Sequence, residues 1–189
     1  MKAFLYLSLL CAVLYSSEQP TVTVGVLPFT NNSLTNKESL QPLAVGLSDM
    51  MATELGKIGS LKIVERAKLN KIVEEMALVQ SGILSDDSAI QIGKLSGATM
   101  LLLGSFTMGF NGEMRIDIRL VKVETGETVK AEEVTGKPKK LFKMIEKLSF
   151  KMAENLKIKL TSEEKEAIEK GLSSNSDFVK IKEMVETVK

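Results

Sequence analysis

The sequence has no histidine, no tryptophan and a single cysteine. Without histidine it lacks the commonest general base, the usual serine or cysteine triad and most zinc sites. The one cysteine, Cys11, lies in an apolar leading segment. Once that segment is removed, no thiol is left for nucleophilic chemistry or disulfides. Aromatic residues are 5% of the chain, too few for a stacking platform for sugars or bases. Neither sign of charge is in excess. Lys and Arg number 25 against 24 Asp and Glu, a net charge of +1, so no field points to nucleic acid or to an anionic membrane. No pattern in the sequence calls for a cofactor or a metal, and no catalytic residues are assigned. The expectation is a protein that is not an enzyme.

Two weak chemical signals resolve in the same direction. Gly93-Lys94-Leu95-Ser96-Gly97 has a phosphate-loop flavour. A phosphate loop, however, needs a glycine five residues before the Gly-Lys pair and Ser or Thr after the Lys. Ser88 and Leu95 stand there, so Gly93 and Gly97 read as packing and helix-stop glycines. The carboxylate pairs Glu74-Glu75, Asp86-Asp87, Glu132-Glu133 and Glu163-Glu164 fit solvated faces or first helical turns.

What is present describes an exported globular domain. Met1-Lys2, the apolar run Ala3–Tyr15 and the small polar residues after it form an export signal, with cleavage near Ser16 or Ser17. The run is shorter than the ~20 apolar residues of a spanning helix. A short uncleaved anchor is the other reading. Leu10 stands before Cys11, where a lipoprotein signal places a small residue, which weighs against lipid attachment. The remaining length supports one core of ordinary size, and the 44% hydrophobic and 26% charged composition is globular. Residues 1–17 read as signal, 18–157 as an α/β domain and 158–189 as a helical extension.

Thr21–Phe29 is β-branched and reads as a buried strand, and Asn31-Asn32-Ser33 as loop. Ser39–Ile58 has apolar residues at helical spacing. Leu61–Val64 reads as a short strand, and a helix begins near Glu65. A turn follows at Ser81-Gly82. Ser85 caps a second helix, which Gly97 stops. Thr99–Met108 opens as a run buried on both faces. Glu113–Val123 alternates, with Met114, Ile116, Ile118 and Leu120 on one side and Arg115, Asp117 and Arg119 on the other. Gly109–Gly112 and Glu124–Glu127 are hairpin turns, and Thr128–Thr135 is the last strand. Pro138 opens a long helix, Thr161–Glu164 is a capping box, and the last helix covers about Asp177–Lys189. This order predicts an α/β sandwich, three-layer-like, with helices flanking a mixed sheet that is antiparallel in its second half.

Four segments carry a resemblance. Val64-Glu65-Arg66 with Leu69, Ile72 and Glu74-Glu75 is one. Gln80-Ser81-Gly82 is the second. The third is Ile92–Ala98 followed by Leu103-Gly104-Ser105-Phe106. The fourth is Leu120–Glu127, with Thr125 and Gly126 in its turn. In this order they resemble the CsgG family of curli assembly and transport proteins, from about Thr21 to Leu156. The opening strand Val26–Phe29 is similar to that of related FlgO-like and TolB-N-terminal-like domains. The resemblance gives Glu65, Arg66, Gly82, Gly93, Gly97, Gly104, Thr125 and Gly126 structural roles.

The resemblance further implies an exported, non-enzymatic protein of the periplasm or the inner face of the outer membrane. The best-known members form an oligomeric secretion pore with membrane-inserted strands. The turns of this chain leave no room for such strands, and no membrane-spanning hairpins are expected. The partners implied are other cell-envelope proteins, or further copies of the chain in a homo-oligomer. One reading is an assembly, secretion-associated or adaptor module. The alternative is a regulatory binding module acting on a cell-wall synthase or a small ligand. The stripe Phe178, Ile181, Val185 and Val188 on the last helix, and the pair Arg115 and Arg119, are the candidate partner-binding residues. The competing reading of the stripe is packing on its own domain, and that of the arginines is a solvated face paired with Asp117.

Overall fold

A computed structural model describes residues 22–76 and 85–187. The leading segment with Cys11, the Ser81-Gly82 turn and Val188 lie outside the described residues.

Among the described residues, six strands form one mixed sheet. They are β1 (Val22–Val26), β2 (Thr30–Asn31), β3 (Leu61–Ile63), β4 (Met100–Met108), β5 (Met114–Lys122) and β6 (Thr128–Gly136). The main order is β3-β1-β4-β5-β6, with the short β2 beside β4. β1 pairs in parallel with β3 and β4, whereas β4-β5 and β5-β6 are antiparallel. The helices are α1 (Leu43–Leu55), α2 (Arg66–Glu75), α3 (Asp86–Ser96), α4 (Leu141–Asn155), α5 (Ser162–Gly171) and α6 (Ser176–Thr187). The expected mixed sheet flanked by helices is therefore the fold.

Two apolar layers follow from strand alternation. On one face Val24, Leu102, Phe106, Ile116, Ile118 and Leu120 meet α1, α4, α5 and α6 in the main core. On the other, Leu101 meets α2 and α3 through Leu69, Ala89 and Ile92. Leu101 and Leu102 are both fully buried, in different layers. That is why the start of β4 reads as an uninterrupted apolar run. β5 alternates because only one of its faces is covered. Met114, Ile116, Ile118 and Leu120 are buried, and the residues between them are not.

Three local readings shift. The helix expected over Ser39–Ile58 is α1 at Leu43–Leu55, because the segment before it turns and Pro42 occupies the cap. The loop expected at Asn31 contains β2. The Asn31 amide donates to the Lys37 carbonyl (2.8 Å), and its carbonyl oxygen accepts from the Ser33 N–H (3.0 Å). Pro138 opens a 3-10 turn, Pro138–Lys140, and the long helix starts after it. The α3 caps are as expected. Ser85 accepts from the Ser88 N–H, and Gly97 ends the helix at φ 75°.

The described part of the expected extension, residues 158–187, shares the main core. Ile168, Leu172, Phe178 and Val185 are buried in the same cluster as Leu43 and Leu148. The Thr161 capping box also ties α5 to the domain. Glu164 accepts the Thr161 N–H (2.8 Å) through Oε2 and the Gly59 N–H (2.7 Å) through Oε1. These two bonds hold its carboxyl below the usual range. Glu164→Ala is expected to cost about 1–2 kcal/mol, the scale of a lost cap. It should also speed amide exchange at Gly59. Unchanged exchange there would show that the second bond contributes nothing.

Glu54 is fully buried on α1, where Lys57 is its ion-pair partner. Its Oε2 has no hydrogen-bond partner among the described residues. Burial is the largest influence and raises its pKa; the Lys57 bond opposes it. A carboxyl raised on folding binds protons more readily in the native state. Its penalty is therefore absent at low pH, grows as pH rises past the ordinary carboxylate value, and is complete above the raised one. Glu54→Gln is expected to raise the melting temperature by a few degrees at pH 7, with Lys57 turning to solvent. The gain should vanish near pH 4. A loss of stability at pH 7 would mean that the ion pair outweighs the burial penalty.

Candidate functional site

The helices α2 and α3 cover only one end of their sheet face. Among the described residues, nothing covers the rest of that face, across β4, β5 and β6. This part borders a groove of about 470 Å³ lined by Pro28, Asn32, Leu103, Ser105, Arg115 and Glu133 among others. The two arginines singled out in the sequence sit here because β5 points its odd-numbered residues away from the main core.

Both guanidinium groups are already engaged. Arg115 donates through Nε and Nη2 to Asp117 (2.6–3.0 Å) and also pairs with Glu133 on β6. Asp117 and Glu133 face each other in the β5-β6 register, so Arg115 sits over two carboxylates. These neighbours, Asp117 first, raise its already high pKa. Arg119 pairs with Asp86 in the first turn of α3, with Nη1 3.2 Å from Oδ2. That hydrogen bond is the main reason the Asp86 carboxyl is held below its usual range. The face is thus charge-compensated, and an incoming anion would compete with three carboxylates. Asp86 and Glu133 were not legible as partners. Asp86 reads locally as a helix-dipole carboxylate, and its pairing with a residue 33 positions on is a tertiary event.

The α6 stripe points inward. Phe178 and Val185 are 7% and 0% exposed, and Ile181 packs against the core. A Cβ built on Gly46 of α1 would lie 2.8 Å from Ile181 Cδ1. Lys182 lies 5.4 Å from the centroid of the Phe142 ring of α4. Most of the surface of these three side chains is spent on their own domain, and only Phe178 and Ile181 keep an edge toward the hollow between α1 and α2.

The motif residues have structural settings. Glu65 precedes α2, and its carbonyl accepts from the Lys68 and Leu69 N–H groups. Arg66 pairs with Asp49 of α1. Gly93 lets Val123 approach; an added Cβ would lie 2.7 Å from it. Gly104 faces the Phe29 ring in the same way. Gly126 turns the β5-β6 hairpin at φ 74°, where the Thr125 hydroxyl donates to Glu127 Oε2 (3.1 Å) and accepts from the Glu127 N–H (3.4 Å). No group of three or more Cys, Asp or Glu side chains placed to hold a metal occurs among the described residues. No helix among them is long and apolar enough to cross a membrane.

Fold and site together define a mixed-sheet α/β sandwich with one sheet face that, among the described residues, is uncovered and charge-compensated. The profile of the family described as curli production assembly/transport component CsgG matches residues 10–111, just over half of the chain. The chain belongs to this family. The matched stretch includes Glu65, Arg66, Gly93, Gly97 and Gly104. No curated protein matches the chain. Among solved structures it is similar to Escherichia coli LpoB, with 19% identity and a TM-score of 0.48, over 61% of this chain and 57% of that one. It is also similar to the LpoB C-terminal domain from Salmonella enterica, with 17% identity and a TM-score of 0.45, over 62% and 83%. A third is a PelC dodecamer from Paraburkholderia phytofirmans, with 15% identity and a TM-score of 0.43, over 74% and 89%. These are likenesses of fold alone.

Proposed function

We propose that the chain is a non-enzymatic, exported envelope module that works by binding proteins in assembly or secretion, in the periplasm or at the outer membrane. The observation that carries this reading is the family match over residues 10–111. The geometry supports it in two ways. The titratable groups of the open sheet face are paired with one another, where a catalytic acid or base needs a pKa tuned to its task. The β4-β5 hairpin also closes through the short turn 109–112, and its strands serve the soluble core. In this reading the chain acts without membrane strands from that hairpin.

Affinity capture from solubilised envelope, combined with mass by light scattering, tests the proposal. A ring-sized homo-oligomer or a stoichiometric partner from an assembly or secretion apparatus is expected. Capture of a cell-wall synthase by a monomer would move the reading to a regulatory module. A monomer that captures nothing while hydrolysing or transferring a substrate would overturn it.

A further inference from the structure

A second concavity lies at the carboxyl ends of the parallel strands β1 and β3. It has a volume of about 560 Å³ and runs between α1 on one face of the sheet and α2 on the other, with α6 as its far wall. In sheets of this kind, ligands bind in the crevice beyond the carboxyl ends of the strands, because the helices that follow diverge there. The volume is within the ~300–1,000 Å³ of small-ligand sites. Val26, Ala52, Ile63, Leu69, Phe178 and Ile181 supply apolar lining. Across it, Asp49 of α1 pairs with Arg66 of α2.

The lining charge is unbalanced. Among the described residues that line it, Asp49, Glu65 and Asp177 face one cation, Arg66. Asp177 has a loose neighbour in Lys180 at 3.9 Å, but Lys180 does not line the crevice. Asp49 is the most enclosed charge of the Asp49-Arg66 pair, with 28% of its side chain exposed against 48% for Arg66. Burial raises its pKa against the opposing pull of Arg66. Among the described residues its Oδ2 takes the Arg66 bond, and no hydrogen bond reaches Oδ1. An apolar hollow with a partly desolvated carboxylate and two more at its rim suits a cation on an apolar stem. An anion would meet net repulsion.

We propose that this crevice binds a basic side chain, lysine or arginine, presented next to an apolar residue in an extended peptide. The stem would lie on Ala52, Ile63 and Phe178, and the cation would reach Asp49 Oδ1. The inference rests on the protein-binding reading only for the source of the ligand. The two fail separately, because short peptides report on the crevice whether or not an envelope partner is found.

The test is NMR titration of the full-length protein with acetyl-Leu-Arg-Leu-amide and with its citrulline counterpart, which keeps the shape and loses the charge. Saturable shifts are expected at the amides of Ser48, Asp49, Asn70 and Ile181, with the citrulline peptide at least tenfold weaker. Asp49→Asn should bring the two peptides within about threefold of each other. Equal binding of both peptides to the unaltered protein, or no saturable shift at these amides, would overturn the proposal. Hexylammonium binding more tightly than the arginine peptide would overturn the peptide assignment.

Discussion

Removing residues 176–189, and so α6, is expected to destabilise the domain by roughly 3–6 kcal/mol. Phe178 and Val185 are 7% and 0% exposed in the main core, and full burial of such a side chain is worth ~1.5–3 kcal/mol. Their loss also uncovers α1 at Gly46, where Ile181 packs. A domain of this size has ~5–15 kcal/mol to lose, so the truncated protein should be marginal and prone to associate through the bared face. Urea unfolding followed by circular dichroism measures this. An unchanged midpoint would show that α6 is dispensable and free to meet a partner.

The sequence showed that α6 has an apolar stripe but not what the stripe covers. Phe178, Ile181 and Val185 have the same spacing whether they face a partner or their own domain. The deciding residue is Gly46, 135 positions from Ile181, whose missing side chain makes room for it. Inside α1 that glycine carries no signal beyond weak helix propensity.

Gly104→Ala is expected to be the most damaging single methyl addition. A Cβ at this position would lie 2.5 Å from Cε1, Cε2 and Cζ of Phe29, and Phe29 is 3% exposed. A ring held on all sides by a packed core cannot yield cheaply, and overpacking of this kind costs typically ~1–3 kcal/mol, occasionally more. Alanine's advantage over glycine in a strand, roughly 0.5–1 kcal/mol, offsets only part of that. Phe29→Leu should destabilise the parent protein yet recover much of the loss in the Gly104→Ala background. Strict additivity of the two changes, measured by thermal unfolding, would contradict the contact.

Gly104 also shows where the family resemblance and the physical reading meet. The sequence marks a glycine in an apolar strand, which suggests a close approach without naming the neighbour. Phe29 lies 75 residues earlier, beyond β1. Most of the fold was legible because strand and helix periods are local. Met114, Ile116, Ile118 and Leu120 alternate as one side of β5, and Ser85 and Gly97 bracket α3. The candidate site was legible in part. Arg115, Asp117 and Arg119 share one face by alternation alone. Their further partners, Glu133 and Asp86, depend on the β5-β6 register and on where α3 docks. The crevice between α1 and α2 was invisible for the same reason, since it exists only between elements that diverge from the sheet.

The most direct test of the central claim is chemical crosslinking in intact cells, followed by purification of the tagged protein and mass spectrometry. A non-enzymatic envelope module that works by protein contact predicts a few dominant crosslinks to envelope proteins or to further copies of the chain. Crosslinks confined to cytoplasmic proteins, from a chain shown to be folded, would contradict it.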